Sequence, residues 1–245
     1  MKIDILTLFP EFFYPLLSWS IVGRAYKEKK VEINSINIRD FSKNKHKKVD
    51  DYPFGGGVGM VMKPEPIFDA IHSVKEKNSK VIYLSPQGKV FNQELANELS
   101  KEEHLIFLCG HYEGIDNRII DHYIDEEISI GDFVLTGGEI PAMTIIDAVV
   151  RLLPGVLSSE ESFMDESHYD GLLEYPQYTR PREFNGHIVP DILLSGNHKK
   201  IEAWRKAEAL KATLKKRPDL LKSKNYTKEE IETLSEIVES INIKN

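Results

Sequence analysis

Short apolar runs alternate with helical patterns through the first 155 residues, and this alternation limits the fold more than any other feature of the sequence. The apolar runs have the length and composition of strands, and the segments between them have apolar side chains at helical spacings of three and four. The predicted strands are residues 3–8, 31–38, 81–84 and 105–108, and the predicted helices are residues 65–77, 92–101 and 138–153. Strands that alternate with helices indicate an α/β fold with a mainly parallel sheet.

The sequence changes in character after Pro154-Gly155. Residues 158–168 are polar and acidic and show no periodicity, which is typical of a linker. We therefore expect an α/β domain over residues 1–157, joined by this linker to a small, mostly helical domain over residues 169–245.

Two helices are predicted in the second domain. Apolar residues at spacings of three and four predict a helix over residues 198–216, and Pro218 ends it. Thr227 and Glu230 have the spacing of a capping box, so a last helix is expected to begin there. The residues expected to face inward on that helix are Ile231, Leu234, Val238 and Ile241.

Positive charge is concentrated in two segments, although the 245-residue chain has a net charge of −7. Residues 24–48 contain nine basic and three acidic side chains, and residues 199–228 contain eleven basic and three acidic side chains. Local basic segments in an acidic chain are typical of polyanion binding, but lysine-rich helix faces exposed to solvent have the same composition.

Several classes of protein are excluded. The single cysteine, Cys109, rules out an internal disulfide and a cysteine-based zinc site. No apolar run approaches the ~18–20 residues of a membrane helix. The N-terminus lacks the pattern of a signal peptide, so we expect a cytoplasmic protein without a membrane partner. Motifs for a P-loop, a standard dinucleotide site, a serine-hydrolase elbow and a zinc protease are also missing.

Three glycine-containing segments follow apolar strands and form the predicted ligand site. They are Ser85–Gly88, Gly110–Asp116 and Ile130–Glu139. In α/β folds ligands bind beyond the carboxyl ends of the strands, and glycine allows the backbone to approach them closely. Any one segment alone is better explained as an ordinary turn, but three at one edge of a sheet favour a ligand site. A further glycine-rich segment, Tyr52–Met60, is predicted either to approach a substrate or partner or to form a structural turn.

The ordered set of motifs resembles the bacterial tRNA (guanine-N1)-methyltransferases of the SPOUT superfamily. The motifs that produce this resemblance are VDDYPFGGGVGM at residues 49–60, LSPQG at 84–88, GHYEGID at 110–116, SIGDFVLTGGE at 129–139, YTRP at 178–181 and LSGNH at 194–198. They span almost the whole chain. The resemblance implies an α/β domain with a deep C-terminal trefoil knot, followed by a small helical domain.

The same resemblance implies a homodimer with its active site at the subunit interface, and methyl transfer from S-adenosylmethionine to tRNA. The expected target is N1 of the guanosine immediately 3′ of the anticodon, at position 37. By position, the implied cofactor-binding residues are Tyr83, Leu84, Ser85, Pro86, Gly88, Gly110, Tyr112, Glu113, Gly114, Ile130, Gly131, Asp132, Phe133, Val134, Leu135, Thr136, Gly137 and Gly138.

The resemblance also assigns catalytic roles. Arg151 matches the family's catalytic arginine, and a gapless alignment places Glu166 where the family has an aspartate general base. A shift of one residue would make Asp165 the base instead, so both remain candidates. The family implies a requirement for Mg²⁺, for which Glu113 is the first candidate ligand and Glu139 the second, because hard cations prefer carboxylate oxygens.

Two other functions remain open on the sequence. One is a SPOUT methyltransferase that modifies a ribose 2′-hydroxyl or ribosomal RNA. The other is an RNA-binding protein that has kept the fold without catalysis, against which the presence of Arg151 and of an acid at position 166 argues.

Overall fold

The computed structural model describes residues 1–157, 166–222 and 226–242. The chain divides into two compact units, Met1–Glu160 and Glu161–Asn245. Among the helices in these described ranges, none combines the length and the apolar character that a membrane crossing requires.

A five-stranded, fully parallel sheet forms the centre of the first unit. Its strands are β1 (Lys2–Thr7), β2 (Glu32–Asn37), β5 (Ser79–Val90), β6 (His104–Cys109) and β7 (Glu126–Ser129), in the order β2-β1-β6-β5-β7. Two short antiparallel strands, β3 (Asp50–Asp51) and β4 (Val61–Met62), form a separate ribbon. The predicted α/β class with a mainly parallel sheet is confirmed.

Helices cover both faces of this sheet. They are α1 (Tyr14–Ser18), α2 (Ser20–Lys27), α3 (Pro64–Val74), α4 (Gln93–Leu99), α5 (Asn117–Tyr123) and α6 (Glu139–Val150), with 3-10 turns at Pro10–Phe13 and Ile38–Phe41. The three predicted helices are present as α3, α4 and α6, and each is shorter than its apolar pattern.

The continuous apolar run of β6 is explained by burial on both faces. Leu105 and Phe107 pack in a cluster with residues of α2, α4 and α6, whereas Ile106 and Leu108 pack in a second cluster with residues of α3 and α5. Every residue of β6 is buried. Strands of this kind read as unbroken hydrophobic stretches rather than as alternating patterns.

The segment Ser85–Gly88 was predicted to follow a strand, and this prediction is wrong because the segment lies inside β5. Leu84 and Lys89 both pair with Ile128, so the four residues between them leave the sheet and return to the same partner. Glycine is required at Gly88 because a Cβ there would lie 2.4 Å from the Glu127 carbonyl carbon. We call residues 85–88 the β5 excursion.

The second unit is small and mostly helical. It contains β8 (Glu183–Phe184), β9 (His187–Ile188), a long helix α7 (His198–Lys216), a last helix α8 (Lys228–Asn242) and 3-10 turns at Asp191–Leu194 and Leu220–Lys222. The predicted helix over residues 198–216 is confirmed. Leu172, Leu210 and Ile237 form the buried core of this unit.

The capping box of α8 is confirmed, but its predicted inward face is partly wrong. The Thr227 amide donates to Glu230 Oε2 at 2.7 Å, and the Glu230 amide donates to Thr227 Oγ1 at 3.2 Å. Ile237 and Leu234 face the core, whereas Ile231 and Val238 are 53% and 43% exposed. The buried stripe is displaced because the core of this small unit accepts only the side chains that reach Leu172 and Leu210. The side chain of Ile241 lies outside the described part of the chain.

Candidate active site

A cavity of about 260 Å³ lies at the carboxyl edge of the parallel sheet in the first unit. The β5 excursion, the turn after β6 and the loop between β7 and α6 form its walls. Sixteen of the eighteen predicted cofactor-binding residues line it, and the exceptions are Gly88 and Asp132. The lining residues that were not predicted are Gln87, His111, Ile128, Ser129 and Pro141.

Backbone hydrogen bonds hold the walls together. The Gly138 amide donates to the Gly110 carbonyl at 3.1 Å, which joins the turn after β6 to the loop before α6. The Glu113 amide donates to the Met60 carbonyl at 3.0 Å, so the glycine-rich segment that ends at Met60 supports the same turn. Tyr112 has a φ of 59°, a left-handed conformation that is uncommon for a residue with a side chain and concentrates at functional sites.

Two titratable groups near the cavity are held in their neutral forms. Burial, and the nearby Glu127 carboxylate, raise the pKa of the Tyr83 hydroxyl to about 12. Burial also raises the pKa of the Cys109 thiol well above its usual value, with the Glu139 carboxylate adding to the effect. Tyr83 is therefore a phenol that can donate a hydrogen bond, and Cys109 is not a thiolate nucleophile at neutral pH.

A cluster of three polar side chains joins the end of β1, the turn after β6 and the start of α6. Thr7 Oγ1 donates to Glu139 Oε1 at 2.6 Å, and His111 Nε2 lies 2.8 and 2.9 Å from the two carboxylate oxygens of Glu139. Thr7 and Glu139 are buried, and the His111 side chain is 15% exposed. The Phe9 ring contacts the imidazole edge-on, with 5.0 Å between ring centroids.

Glu139 is ionised within this cluster. Burial tends to raise its pKa, but the hydrogen bonds from His111 and Thr7 and the charge of His111 outweigh burial. The pKa of Glu139 is therefore lowered from its ordinary value of 4.5. Hydrogen bonds to a buried carboxylate stabilise its anionic form.

Glu139 should make the protein lose stability in acid. Because its pKa is lower in the folded state, its stabilising effect is complete above pH 4.5 and is lost as pH falls through the lowered value. We expect Glu139→Gln to reduce the free energy of unfolding by about 1–3 kcal/mol at pH 7, and by progressively less as the pH falls below 4.5. Urea denaturation over a series of pH values measures this difference, and a gap that does not narrow in acid would contradict the prediction.

The predicted catalytic residues belong to different units. Arg151 caps the C-terminal end of α6 in the first unit, where its amide donates to the Asp147 carbonyl at 3.3 Å. The turn that follows is held by Arg24, whose guanidinium donates to the Val156 carbonyl at 3.0 Å. Glu166 is half-buried in the second unit, and Asp165 lies outside the described residues. Their joint action stays a prediction.

Glu166 lines a larger cavity of about 810 Å³ within the second unit. Tyr175, Tyr178 and Trp204 also line it, and the Arg205 guanidinium lies 4.8 Å from the centre of the Tyr175 ring. A general base must be accessible to its substrate, and an open cavity meets that requirement for Glu166.

The described residues do not form a recognisable metal site. These residues contain no group of three or more His, Cys, Asp or Glu side chains that could hold a metal ion. Glu113 lines the first cavity, and Glu139 is engaged with Thr7 and His111.

The fold and the first cavity define an α/β protein with a cleft built from glycine-containing loops at the carboxyl edge of a parallel sheet. A family profile described as tRNA (Guanine-1)-methyltransferase TrmD matches residues 1–223. The chain therefore belongs to the tRNA (guanine-1)-methyltransferase family, and the resemblance inferred from the motifs is confirmed.

Curated relatives agree with this assignment. A protein of Ruminiclostridium cellulolyticum is 65% identical over 223 residues, which cover 90% of this chain and 96% of the relative. Relatives from Clostridium beijerinckii (62% identity, covering 96% and 98%) and Staphylococcus carnosus (58% identity, covering 94% of each) are also similar. All three are named tRNA (guanine-N(1)-)-methyltransferase.

Sequence reasoning did not single out His111, and it considered Glu139 only as a metal ligand. Both residues carry a positional signal, because His111 follows the glycine that comes directly after β6 and Glu139 is the first residue of α6 after two glycines. Their contact across 28 positions is visible only in the folded chain.

Proposed function

We propose that this protein transfers a methyl group from S-adenosylmethionine to N1 of guanosine 37 in tRNA, immediately 3′ of the anticodon. The observation that carries the proposal is the family match over residues 1–223. Because the substrate is tRNA, we place the reaction in the cytoplasm.

The chemistry gives the candidate residues separate tasks. S-adenosylmethionine, when bound, supplies an electrophilic methyl group on a sulfonium. Guanine N1 carries a proton at neutral pH, and a carboxylate at Glu166 or Asp165 accepts that proton as the new N–CH₃ bond forms and the S–CH₃ bond breaks. The negative charge that develops at guanine O6 is stabilised by the guanidinium of Arg151.

The first cavity suits S-adenosylmethionine by its lining. Its volume of about 260 Å³ lies just below the ~300–1,000 Å³ that is typical of small-molecule sites. Gly110, Ile130 and Leu135 offer backbone N–H and C=O groups to the polar edges of the ligand, and the apolar side chains of Ile130 and Leu135 suit the faces of adenine. The sixteen lining residues from the predicted set form the proposed binding site.

We also propose that the chain in this region forms the trefoil knot of SPOUT proteins. Support comes from the family and from the position of the site, since β5, β6 and β7, which lead into the three cavity walls, are neighbours in one parallel sheet. Sequence reasoning from general topology would reject a knot, because true knots are very rare.

We also propose a homodimer with its active site at the subunit interface. The exposed apolar side chains of the first unit support this proposal. Phe54 and Val58 of the glycine-rich segment are almost fully exposed, and Val134 of the cavity wall is 83% exposed. Exposed apolar side chains in segments next to a ligand site are typical of a surface that a partner covers.

In the proposed function the domain over residues 1–157 binds the methyl donor, and the domain over residues 169–245 holds tRNA.

Mg²⁺ is not accommodated by the described residues as a protein-made site. Glu113 supplies one carboxylate, whereas Mg²⁺ demands an octahedral set of oxygen ligands, most of them then from water or substrate. The Mg²⁺ requirement therefore stays a prediction from the family.

Basic side chains at the end of α7 should contact tRNA phosphates. Lys215 and Lys216 lie in its last turn, and Arg217 follows, with its guanidinium donating to Asp219 at 2.6 Å. Neutralising all three with glutamine should flatten the dependence of log K for tRNA on log salt by about 2 units of slope. Arg217 should contribute least, because Asp219 already compensates its charge.

Binding titrations at several salt concentrations measure this slope. A matched control replaces Lys75 and Lys77, which are exposed in the first unit, with glutamine. An unaltered slope in the triple variant would remove the end of α7 from the tRNA interface.

The proposed function is tested by locating the methyl group. The protein is incubated with tritiated S-adenosylmethionine and an unmodified tRNA that has guanosines at positions 36 and 37. Part of the product is digested to nucleosides to identify the methylated nucleoside, and part is cut into oligonucleotides and sequenced by mass spectrometry to locate it. We expect 1-methylguanosine at position 37. A 2′-O-methyl nucleoside would favour the alternative SPOUT activity, and binding of tRNA without transfer would favour a non-catalytic RNA-binding protein.

A further inference from the structure

The cluster of Thr7, Glu139 and His111 lies against the wall of the first cavity. His111 lines the cavity, whereas Glu139 and Thr7 do not. The three residues come from the end of β1, the turn after β6 and the first turn of α6, so their hydrogen bonds join segments that are far apart in sequence. Nothing in the proposed proton transfer uses these side chains.

We propose that His111 and Glu139 are positioning residues that fix the two glycine-containing walls of the cavity in the geometry that binds S-adenosylmethionine. This inference rests on the proposed function. A site whose donors and acceptors are mostly backbone groups depends on the relative placement of its loops. Backbone groups cannot change rotamer, so they cannot compensate when one loop is displaced. The His111–Glu139 contact sets that placement.

The geometry around Gly137 supports this role. A Cβ on Gly137 would lie 2.3 Å from His111 Cε1 and 2.7 Å from Glu139 Oε2, so this loop residue rests directly on the pair. The imidazole also contacts the Phe9 ring edge-on. Removing the imidazole would therefore leave a space beside Gly137 and a buried carboxylate that has lost its imidazole partner.

The expected effect is a weaker binding of the cofactor, because a displaced wall no longer matches it. A tenfold change in Kd corresponds to about 1.4 kcal/mol. We expect His111→Ala to raise the Kd for S-adenosylmethionine at least tenfold by calorimetry. The KM for this substrate should rise in parallel, while kcat at saturating concentrations and the KM for tRNA change less than about threefold.

A conservative variant separates positioning from general stability. The guanidinium of His111→Arg has N–H groups that can donate to both oxygens of a carboxylate, so this variant should regain most of the affinity. His122→Ala, which removes an exposed histidine on α5, is the matched control and should bind normally. Thermal unfolding of each variant without ligand is measured alongside.

Three results would overturn the inference. They are an unchanged Kd in His111→Ala, a fall in kcat with an unchanged KM, and a loss of affinity that tracks a loss of thermal stability and is not regained in His111→Arg. Failure of the unaltered protein to bind S-adenosylmethionine would overturn the proposed function together with this inference, whereas the first result overturns the inference alone.

Discussion

Glu166→Gln is expected to lower the single-turnover rate of methyl transfer by about 10²-fold or more, with almost unchanged affinities for tRNA and S-adenosylmethionine. The amide keeps the size of the side chain but cannot accept the N1 proton, and a positioned general base typically contributes 10²–10⁴-fold. Rapid-quench measurements under single-turnover conditions, with both substrates saturating, separate this chemical step from binding.

Three further variants make this prediction specific. Asp165→Asn should cost much less, and Glu166→Asp should stay active, because the family's usual base is aspartate. Arg151→Ala should also be slow, and its combination with Glu166→Gln should be far less than additive if both residues act on one transition state. A near-normal rate for Glu166→Gln together with an inactive Asp165→Asn would show that Asp165 is the base.

Gly137→Val is expected to abolish binding of S-adenosylmethionine. The first atom of the new side chain would lie 2.3 Å from the His111 ring and 2.7 Å from a Glu139 oxygen, so either the loop or the pair must move. The two methyl groups beyond it would then occupy space in the cavity wall. Calorimetry with S-adenosylmethionine should detect no heat of binding at concentrations that saturate the unaltered protein.

A folding defect is distinguished from loss of the site by measurements without ligand. Sedimentation should give the same oligomeric state for Gly137→Val as for the unaltered protein, and the far-ultraviolet circular dichroism should match. Retained affinity in a correctly folded Gly137→Val would show that this loop does not contact the ligand.

The sheet was largely predictable because burial on both faces leaves a direct mark on the sequence. The run from Leu105 to Leu108 has no polar residue, which only a strand covered on both sides tolerates, and β6 has this environment. The β5 excursion was not predictable, because it is defined by two residues that pair with Ile128 about forty positions later in the chain. No local pattern records such a pairing.

The loops of the candidate site were predictable from the sequence, but the side-chain contacts that hold these loops in place were not. Glycines after apolar strands mark backbone that can approach a ligand, and most of the predicted residues line one cavity. The contact of His111 with Glu139 depends on how distant segments meet. The prediction of the buried face of α8 was partly wrong for a related reason. Ile231 and Ile237 are equally apolar, and only the shape of the small core determines which of them is buried.

The β5 excursion can change in length and shape without a change in the pairing register of the sheet. Because Leu84 and Lys89 pair with the same residue, a longer or shorter excursion would leave the following pair, Val90 with Ser129, in place. Loop length adds little to the entropy of closure when both ends are fixed. Insertions between these two positions can therefore reshape one wall of the cavity while the pairing of the buried strands stays the same.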